Sequence, residues 1–225
     1  MMIDVSSRPV IRPYSPEDRD ALYDVCVRTA HEGGDSRHIY SDHELTPSVF
    51  AGPYLHVEPD LAFVLDDGAR AVGYILGTAD TAAFVAAYRA SWLPMMEARY
   101  PAPKGPPRTP AESIVALMHQ PERMVLSELA AYPAHLHIDL LPEYQRQGHG
   151  RTLMRAFLSA LHRKQVPAVH LGMATANTAA RAFYDRLGFH EIRVAGPGSL
   201  TYLGRATSGP YPSTAAPPPG STAPP

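Results

Sequence analysis

The chain has 225 residues, of which 45% are hydrophobic and 19% are charged, a composition that is ordinary for one globular domain with a full core. Its formal net charge is -2, so bulk charge creates no strong field for nucleic acid or an anionic membrane. The single cysteine, Cys26, excludes an internal disulfide framework, and no run is apolar enough for a signal peptide or a membrane span. We therefore expect a cytoplasmic protein that does not bind nucleic acid or membranes.

The first half of the chain predicts a strand and two helices, then a hairpin and two further helices. The first helix begins at Ser15-Pro16, where a proline follows a capping serine, and Gly33 ends it. Asp66-Asp67-Gly68 is a strong hairpin turn, and the proline-rich residues 101–110 predict an insertion loop. In chain order we expect a strand over residues 10–12, a helix from 16, a short helix before Pro53, strands over 61–65 and 71–77, a helix over 81–100 broken or kinked at Pro94, and a helix over 111–120.

The second half alternates strands and helices around a glycine-rich turn. Gly188 has the position of a helix-terminating glycine. After Arg205 the chain consists of Ser, Thr, Ala, Gly and Pro with almost no large apolar side chains, so we expect a domain over residues 1–205 and a flexible tail over 206–225. The expected elements are strands over residues 135–141, 168–173, 190–194 and 200–203 and helices after Gly150 and over 178–187.

The most informative segment is the turn that contains Gly148 and Gly150, between an apolar strand and an amphipathic helix. Such a turn exposes unpaired backbone N–H groups and the positive end of the helix dipole, which suits a phosphate. Two other glycine loops are excluded. A dinucleotide fingerprint needs a third glycine or alanine, and a P-loop needs Lys followed by Ser or Thr, whereas here Arg151 and Thr152 follow.

Gln145-x-x-Gly148-x-Gly150 resembles the acetyl-CoA pyrophosphate loop of the GNAT N-acetyltransferases. Downstream, the segment from Asn177 to Tyr184 resembles the second cofactor motif of that family. Membership implies a mixed α/β fold with a sheet of about six to seven strands, which is splayed between the fourth and fifth strands and flanked by helices. The segments 73–80, 91–94 and 100–101 narrow the resemblance to the acetyltransferase-like C-terminal domains of O-GlcNAcases. With no glycoside hydrolase region in the sequence, we expect a free-standing bacterial relative of those domains.

The resemblance implies an acetyl-CoA site built mainly from backbone. The end of the fourth strand would pair with the pantetheine arm, and the glycine loop would hold the pyrophosphate, with added charge from two arginines. A tight turn with solvent-facing arginines is the structural alternative. The residues expected to contact acetyl-CoA are Ile138, Leu140, Leu141, Arg146, Gln147, Gly148, His149, Gly150, Arg151, Asn177 and Tyr184.

The expected activity is transfer of an acetyl group to a primary amine by direct attack, on either a small molecule or a protein lysine. Tyr184 has the position of the family's general acid, although it could instead be a core tyrosine. Strand alternation puts His135, His137 and Asp139 on one face, and Asp139 is our candidate base because a carboxylate at an apolar strand end is costly unless partnered or used. His137 has the better unperturbed pKa.

Two alternatives remain open at the sequence level. The His135-x-His137 pair with Asp139 could suggest a metal, but no fourth ligand follows at a characteristic spacing, and we expect none. The chain could also be an acetyl-CoA-binding or protein-interaction module without useful turnover. The acceptor amine and the oligomeric state cannot be read from the sequence.

Overall fold

The computed structural model describes residues 8–31 and 33–209. Seven strands form one mixed sheet in the order β1-β2-β3-β4-β5-β7-β6. In this part of the chain, β4 and β5 pair in parallel and all other neighbouring strands pair antiparallel. The strands are β1 (Val10–Pro13), β2 (Phe63–Asp66), β3 (Ala71–Thr78), β4 (Ala134–Leu140), β5 (Ala168–Ala174), β6 (His190–Ile192) and β7 (Leu200–Ala206).

Helices cover both faces of the sheet. α1 contacts β3 and β4 on one face, and α7 contacts β2, β3 and β4 on the other. The helices are α1 (Arg19–Thr29), α2 (Pro47–Phe50), α3 (Gly52–Val57), α4 (Thr81–Ala87), α5 (Leu93–Met96), α6 (Pro110–Met118), α7 (His149–Arg163) and α8 (Thr178–Asp185). The mixed sheet flanked by helices confirms the predicted fold class.

The sheet splays between β4 and β5, as the resemblance implied. β4 pairs with β3 from His135 to Leu140, but its parallel ladder with β5 contains only Ala134↔Val169 and His135↔His170. Beyond His135 the two strands therefore diverge while β4 continues toward the glycine-rich turn. The opening lies at the carboxyl end of β4, directly before α7.

Three local departures from the predicted elements have physical causes. The helix predicted over 81–100 changes to a π turn over Tyr88–Trp92, where the N–H of Leu93 donates to the carbonyl of Tyr88. Pro94 follows, and because proline has no N–H, the regular helical ladder cannot continue through it. A second short helix, α3, begins beside Pro53. The last strand extends to Ala206, one residue beyond the predicted domain end.

The termini of the predicted domain are only partly described. The hydroxyl of Thr207 donates to the carbonyl of Val166, so ordered contacts continue into the predicted tail. Residues 210–225 of that tail and residues 1–7 lie outside the described residues. No helix in the described part is long and apolar enough to cross a membrane. Cys26 is 2% exposed and lies in the core, as its position on the apolar stripe of α1 predicts.

Candidate active site

A cleft of about 700 Å³ opens where β4 leaves β5. The end of α1, the end of β4, the glycine-rich turn and α8 form its walls. The cleft brings together most of the predicted site residues, although they come from distant parts of the chain. Those that line it are Ile138, Asp139, Leu140, Arg146, Gly148, Gly150, Arg151, Asn177 and Tyr184.

The glycine-rich turn has the backbone of an anion-binding loop. Arg146 and Gly148 both adopt left-handed conformations, with φ of 58° and 89°. Gly148 is the N-cap of α7, and its missing side chain faces open space. The first backbone N–H groups of α7 have no acceptor within the helix, and they point out of its N-terminus with the positive end of the dipole. This concave arrangement of N–H groups favours a phosphate-like ligand.

Gly150 meets a different requirement from Gly148. A Cβ atom on Gly150 would lie 3.2 Å from ring atoms of Phe183 in α8. The glycine therefore lets the start of α7 approach α8 closely, which brings Asn177 and Tyr184 to the same cleft as the loop. The missing side chain of Gly150 thus makes room for Phe183 rather than for a ligand.

The open edge of β4 presents two of the three predicted strand residues. The N–H of Leu141 donates to the carbonyl of Val72 in β3, so alternation turns the backbone groups of Ile138 and Leu140 toward the side of β5. The carbonyl of Leu140 accepts a hydrogen bond of 2.9 Å from Gln145. Leu141, the third, does not line the cleft: its N–H faces β3, its carbonyl accepts from the N–H of Tyr144, and its side chain is buried.

The side chains of Gln147 and His149 do not line the cleft. The amide of Gln147 donates to the carbonyl of Glu143, which stabilises the turn. His149 is the first residue of α7, so its backbone N–H belongs to the unpaired group at the helix start. These two residues therefore remain candidates through their backbone alone.

α8 contributes an asparagine and a tyrosine. Asn177 caps the helix, with its Oδ1 accepting from the N–H of Ala180 at 2.9 Å, and its Nδ2 lies near Gly33 at the end of α1. Tyr184 is 8% exposed, and its hydroxyl makes no hydrogen bond with any described residue. Burial, with a smaller contribution from the charge of Asp139, raises the pKa of Tyr184. The phenol therefore carries its proton at neutral pH.

Asp139 occupies the same cleft on the α1 face of β4. Its Oδ2 accepts a hydrogen bond of 2.7 Å from the hydroxyl of Tyr74. Burial raises the pKa of Asp139 to about 6, and the hydrogen bond from Tyr74 opposes part of that rise. No cation forms an ion pair with Asp139 within residues 8–31 and 33–209. Near neutral pH the carboxylate is ionised but its affinity for a proton is high for an aspartate.

The two histidines of β4 belong to an ordered hydrogen-bond chain. The hydroxyl of Thr81 donates to the carbonyl of Pro133 at 2.8 Å, and since it has one proton, its oxygen accepts from Nδ1 of His135, also at 2.8 Å. Nε2 of His135 then accepts from the hydroxyl of Tyr54 at 2.7 Å. The oxygen of Tyr54 in turn accepts from Nε2 of His137 at 3.1 Å.

This chain assigns the proton of His137 to Nε2 and leaves Nδ1 as a free acceptor. Burial, aided by the charge of Arg123, lowers the pKa of His137 to about 4, so the ring is neutral at physiological pH. His137 is half-buried, whereas Tyr54 and His135 lie in the core. The structure thus offers a second oriented proton acceptor, two residues before Asp139 on the same face of β4.

Sequence reasoning missed the roles of Thr81 and Arg123, and it considered Tyr54 for an acceptor groove but favoured a core position for it. None of the three has a motif around it, and Tyr54 and Thr81 reach β4 only because α3 and the start of α4 pack beside it. Trp92 and Tyr40 were also considered for an acceptor groove. Trp92 is a core residue whose indole donates to the carbonyl of Ser48.

A metal centre has no support in the described part of the chain. There, no group of three His, Cys, Asp or Glu side chains is arranged to hold a metal ion. Nε2 of His135 and Nε2 of His137 both contact the hydroxyl of Tyr54. Their hydrogen bonds orient the rings toward a phenol.

Comparisons with known proteins agree with this geometry. The model of the acetyltransferase (GNAT) family matches residues 115–189, which include β4, the glycine-rich turn, α7 and α8. The crystal structure of SsHAT matches this chain with a TM-score of 0.86, and the two sequences are 65% identical. The match covers 89% of this chain and 99% of that one.

Two further relatives are more distant. Rat protein O-GlcNAcase is 30% identical over 201 residues, which are 87% of this chain but 22% of the curated protein, so the chain spans about a fifth of that relative. A putative acetyltransferase from Salmonella typhimurium, solved with its cofactor acetyl-CoA, shares the fold with 14% identity and a TM-score of 0.51, covering 89% of this chain and 94% of that one.

Proposed function

This chain belongs to the GNAT acetyltransferase family and is an acyltransferase of that type, and from this premise we propose that it transfers the acetyl group of acetyl-CoA to a primary amine. One observation carries the proposal: the anion-binding loop, the unpaired edge of β4 and the free hydroxyl of Tyr184 all open into one cleft. Bound there, acetyl-CoA supplies an activated acetyl thioester.

The loop fits the diphosphate of coenzyme A. Gly148 keeps the approach to the N-terminus of α7 open, because no side chain covers it. Backbone N–H groups from Gln147 to Arg151 would donate to phosphate oxygens, and the exposed Arg146 and half-buried Arg151 would add positive charge. The left-handed backbone at Arg146 costs about 1 kcal/mol, which fits a position held for function rather than for stability.

The edge of β4 fits the amides of the pantetheine arm. Ile138 and Leu140 turn their N–H and carbonyl groups toward the splay, where β5 is no longer paired with them. An extended ligand that carries amide groups can replace the missing strand there and satisfy these backbone groups. Asn177 stands at the opposite wall, with its Nδ2 still free to donate after its Oδ1 has capped α8.

Tyr184 is the proposed general acid. Departure of the thiolate requires a proton, and the phenol of Tyr184 holds one throughout the neutral pH range because burial raises its pKa. Its hydroxyl has no partner among the described residues, so no competing hydrogen bond has to be broken before it donates.

Asp139 is the proposed general base. An amine with an ordinary pKa of about 10.4 is almost entirely protonated at neutral pH, so a group that accepts its proton is needed. The carboxylate of Asp139 lines the cleft, and its raised pKa of about 6 makes it a stronger base than an exposed aspartate. Nδ1 of His137 is the second candidate for this role, acting alone or through water.

The proposal is tested by thiol release from acetyl-CoA across a panel of small primary amines and lysine-containing peptides. We expect release with at least one acceptor class. Comparison of Asp139→Asn with His137→Gln then identifies the base, since the larger loss of kcat marks the residue that accepts the proton. Stabilisation by acetyl-CoA with no release from any acceptor would contradict transfer and leave a cofactor-binding module.

A further inference from the structure

A second group of polar side chains lies beside the splay, on the face of the sheet that carries Asp139. We define the Arg123 cluster as Tyr54, Tyr88, Arg123, His137 and Tyr202. The sulfur of Met124 lies 3.9 Å from the hydroxyl of Tyr54, which brings the segment containing Arg123 over β4. Tyr202 of β7 borders the same opening across β5, because its ring lies 3.3 Å from the Cβ position of Gly172.

The cluster contains a cation with no acidic partner among the described residues. The phenols of Tyr54, Tyr88 and Tyr202, which are uncharged at neutral pH, lie within electrostatic range of Arg123. Its one hydrogen bond is a long contact of 3.5 Å to the carbonyl of Gln120. The neighbouring carboxylate of Glu122 is bound to Arg89 at 2.6 Å. Burial lowers the pKa of Arg123, the expected result when a guanidinium is desolvated without a counter-ion.

The cluster also contains a buried hydroxyl, that of Tyr88, without a hydrogen-bond partner among the described residues. Tyr88 is 2% exposed, and its hydroxyl is a buried side-chain oxygen that has no hydrogen-bond partner among the described residues. A buried polar group without a partner is destabilising and is uncommon in a folded protein. The hydroxyl of Tyr202, which is half-buried, makes no hydrogen bond with the described residues either.

The polar groups of the cluster that lack a partner complement a ligand that carries both a negative and a positive charge. Arg123, Tyr88 and Tyr202 offer donors without acceptors, whereas His137 offers an acceptor, its Nδ1. The donor of Tyr54 is already committed to His135. Tyr54 and Tyr88 are buried, whereas Arg123, His137 and Tyr202 are half-buried and partly accessible to solvent.

We propose that the Arg123 cluster binds the carboxylate of the acceptor, so that the acceptor is a primary amine carrying a carboxylate. Arg123 and the hydroxyls of Tyr88 and Tyr202 hold the carboxylate, and the amine is directed toward Nδ1 of His137 and Asp139. These two residues lie about 7 Å apart along β4, since a strand rises by about 3.4 Å per residue. The inference rests on the proposed acetyl transfer and names its substrate class.

The test compares ω-amino acids, from glycine to 6-aminohexanoate, with the carboxamide of each in thiol release from acetyl-CoA. We expect kcat/KM to be at least tenfold higher for the carboxylate of the best chain length, because charge-assisted hydrogen bonds to Arg123 are lost in the amide. A pair of lysine peptides that differ by Glu against Gln distinguishes a free amino acid from an acidic peptide as the source of the carboxylate.

Two variants assign the preference to the cluster. Arg123→Gln should abolish the advantage of the carboxylate, so that kcat/KM becomes equal for each acid and its amide; the ratio within the variant is the readout, because removal of the Arg123 charge also changes the pKa of His137 and affects both compounds alike. Tyr88→Phe should reduce the advantage severalfold without lowering thermal stability, because the deleted hydroxyl has no partner in the free protein. The matched controls are Arg163→Gln, an exposed cation at the end of α7, and Tyr100→Phe, whose hydroxyl donates to Asp42. Neither control should change the preference.

Equal kcat/KM for the carboxylate and the amide would overturn the inference and leave acetyl transfer intact. An unchanged preference in Arg123→Gln would overturn it as well. If no acceptor releases thiol, the same paired compounds are tested for stabilisation of the protein in the presence of coenzyme A. Greater stabilisation by the carboxylate that disappears in Arg123→Gln supports the site although transfer fails, and equal stabilisation refutes it.

Discussion

The two sides of the splay are encoded in different ways. On the cofactor side, the loop around Gly148 and the N-terminus of α7 act through backbone groups of one continuous segment. On the side proposed to bind the acceptor, Tyr54, Arg123 and His137 come from three separate segments and would act through their side chains. A site made of backbone is visible as a local glycine pattern, whereas a site made of side chains exists only after the fold has assembled it. The following predictions test this contrast, from the largest expected effect to the smallest.

Tyr184→Phe should have the largest effect on turnover. Removal of the general acid is expected to lower kcat by about 10²- to 10³-fold, within the range for a positioned proton donor. Acetyl-CoA should still stabilise the variant, because the loop and the edge of β4 are unchanged. Steady-state thiol release together with thermal unfolding separates the two effects. Full activity would remove Tyr184 from the mechanism and leave it as a core residue.

Asp139→Asn should lower kcat by about 10- to 100-fold and also stabilise the protein. The folded-state pKa of Asp139 is raised from 3.8 to about 6, so the folded state binds this proton more tightly than the unfolded state. Stability attributable to Asp139 is thus present at low pH and is lost as pH rises from about 4 to about 6.

The neutral asparagine avoids that loss. At pH 8 we expect the free energy of unfolding of Asp139→Asn to exceed that of the wild type by about 1–3 kcal/mol. Urea unfolding at pH 4 and pH 8 measures the difference, which should nearly vanish at the lower pH. A variant that is less stable at both values would contradict the raised pKa of Asp139 on which its proposed role as a base depends.

Gly148→Ala should weaken acetyl-CoA binding by about tenfold, because the added Cβ would occupy the open space at the N-terminus of α7 where the diphosphate is proposed to bind. Gly196→Ala is the matched control, since Gly196 also has a positive φ, 61°, and open space at its Cβ position. Both variants should lose similar stability. Equal acetyl-CoA affinity in the two, measured by calorimetry, would contradict a specific role of the loop.

Thr81→Val should have the smallest effect, a change of about threefold in kcat, because it acts through two intervening side chains. Without the Thr81 hydroxyl, no acceptor holds the proton of His135 on Nδ1. The hydrogen bonds through Tyr54 then no longer determine which ring nitrogen of His137 carries its proton. Nitrogen-15 spectra of the histidine rings report the tautomers directly. Thr81→Ser should restore both the Nε2–H form of His137 and the rate, whereas an unchanged spectrum in Thr81→Val would refute the chain.

The sequence predicted the fold well because its signals are local. Apolar periodicity and turn residues such as Asp66-Asp67-Gly68 indicated all seven strands, and the resemblance to the GNAT family implied the splay between β4 and β5. Expectation and structure differ where backbone direction or distant contacts decide. Leu141 was included although strand alternation turns its backbone groups toward β3. Arg123 was overlooked because no sequence motif contains it. What distinguishes it is its burial near Tyr88 and Tyr202, which exists only in the folded chain.

The central claim is that the cleft at the splay binds acetyl-CoA through the loop around Gly148. The most direct test is the thermal unfolding of the full chain with and without acetyl-CoA, in the wild type and in Gly148→Ala. At a ligand concentration of 100 times Kd, we expect the wild type to gain about 2.7 kcal/mol of stability. For a domain of this size that gain corresponds to a rise in Tm of about 5–10 °C, with a clearly smaller rise in the variant at the same concentration. No shift in the wild type, or an equal shift in both proteins, would contradict the account.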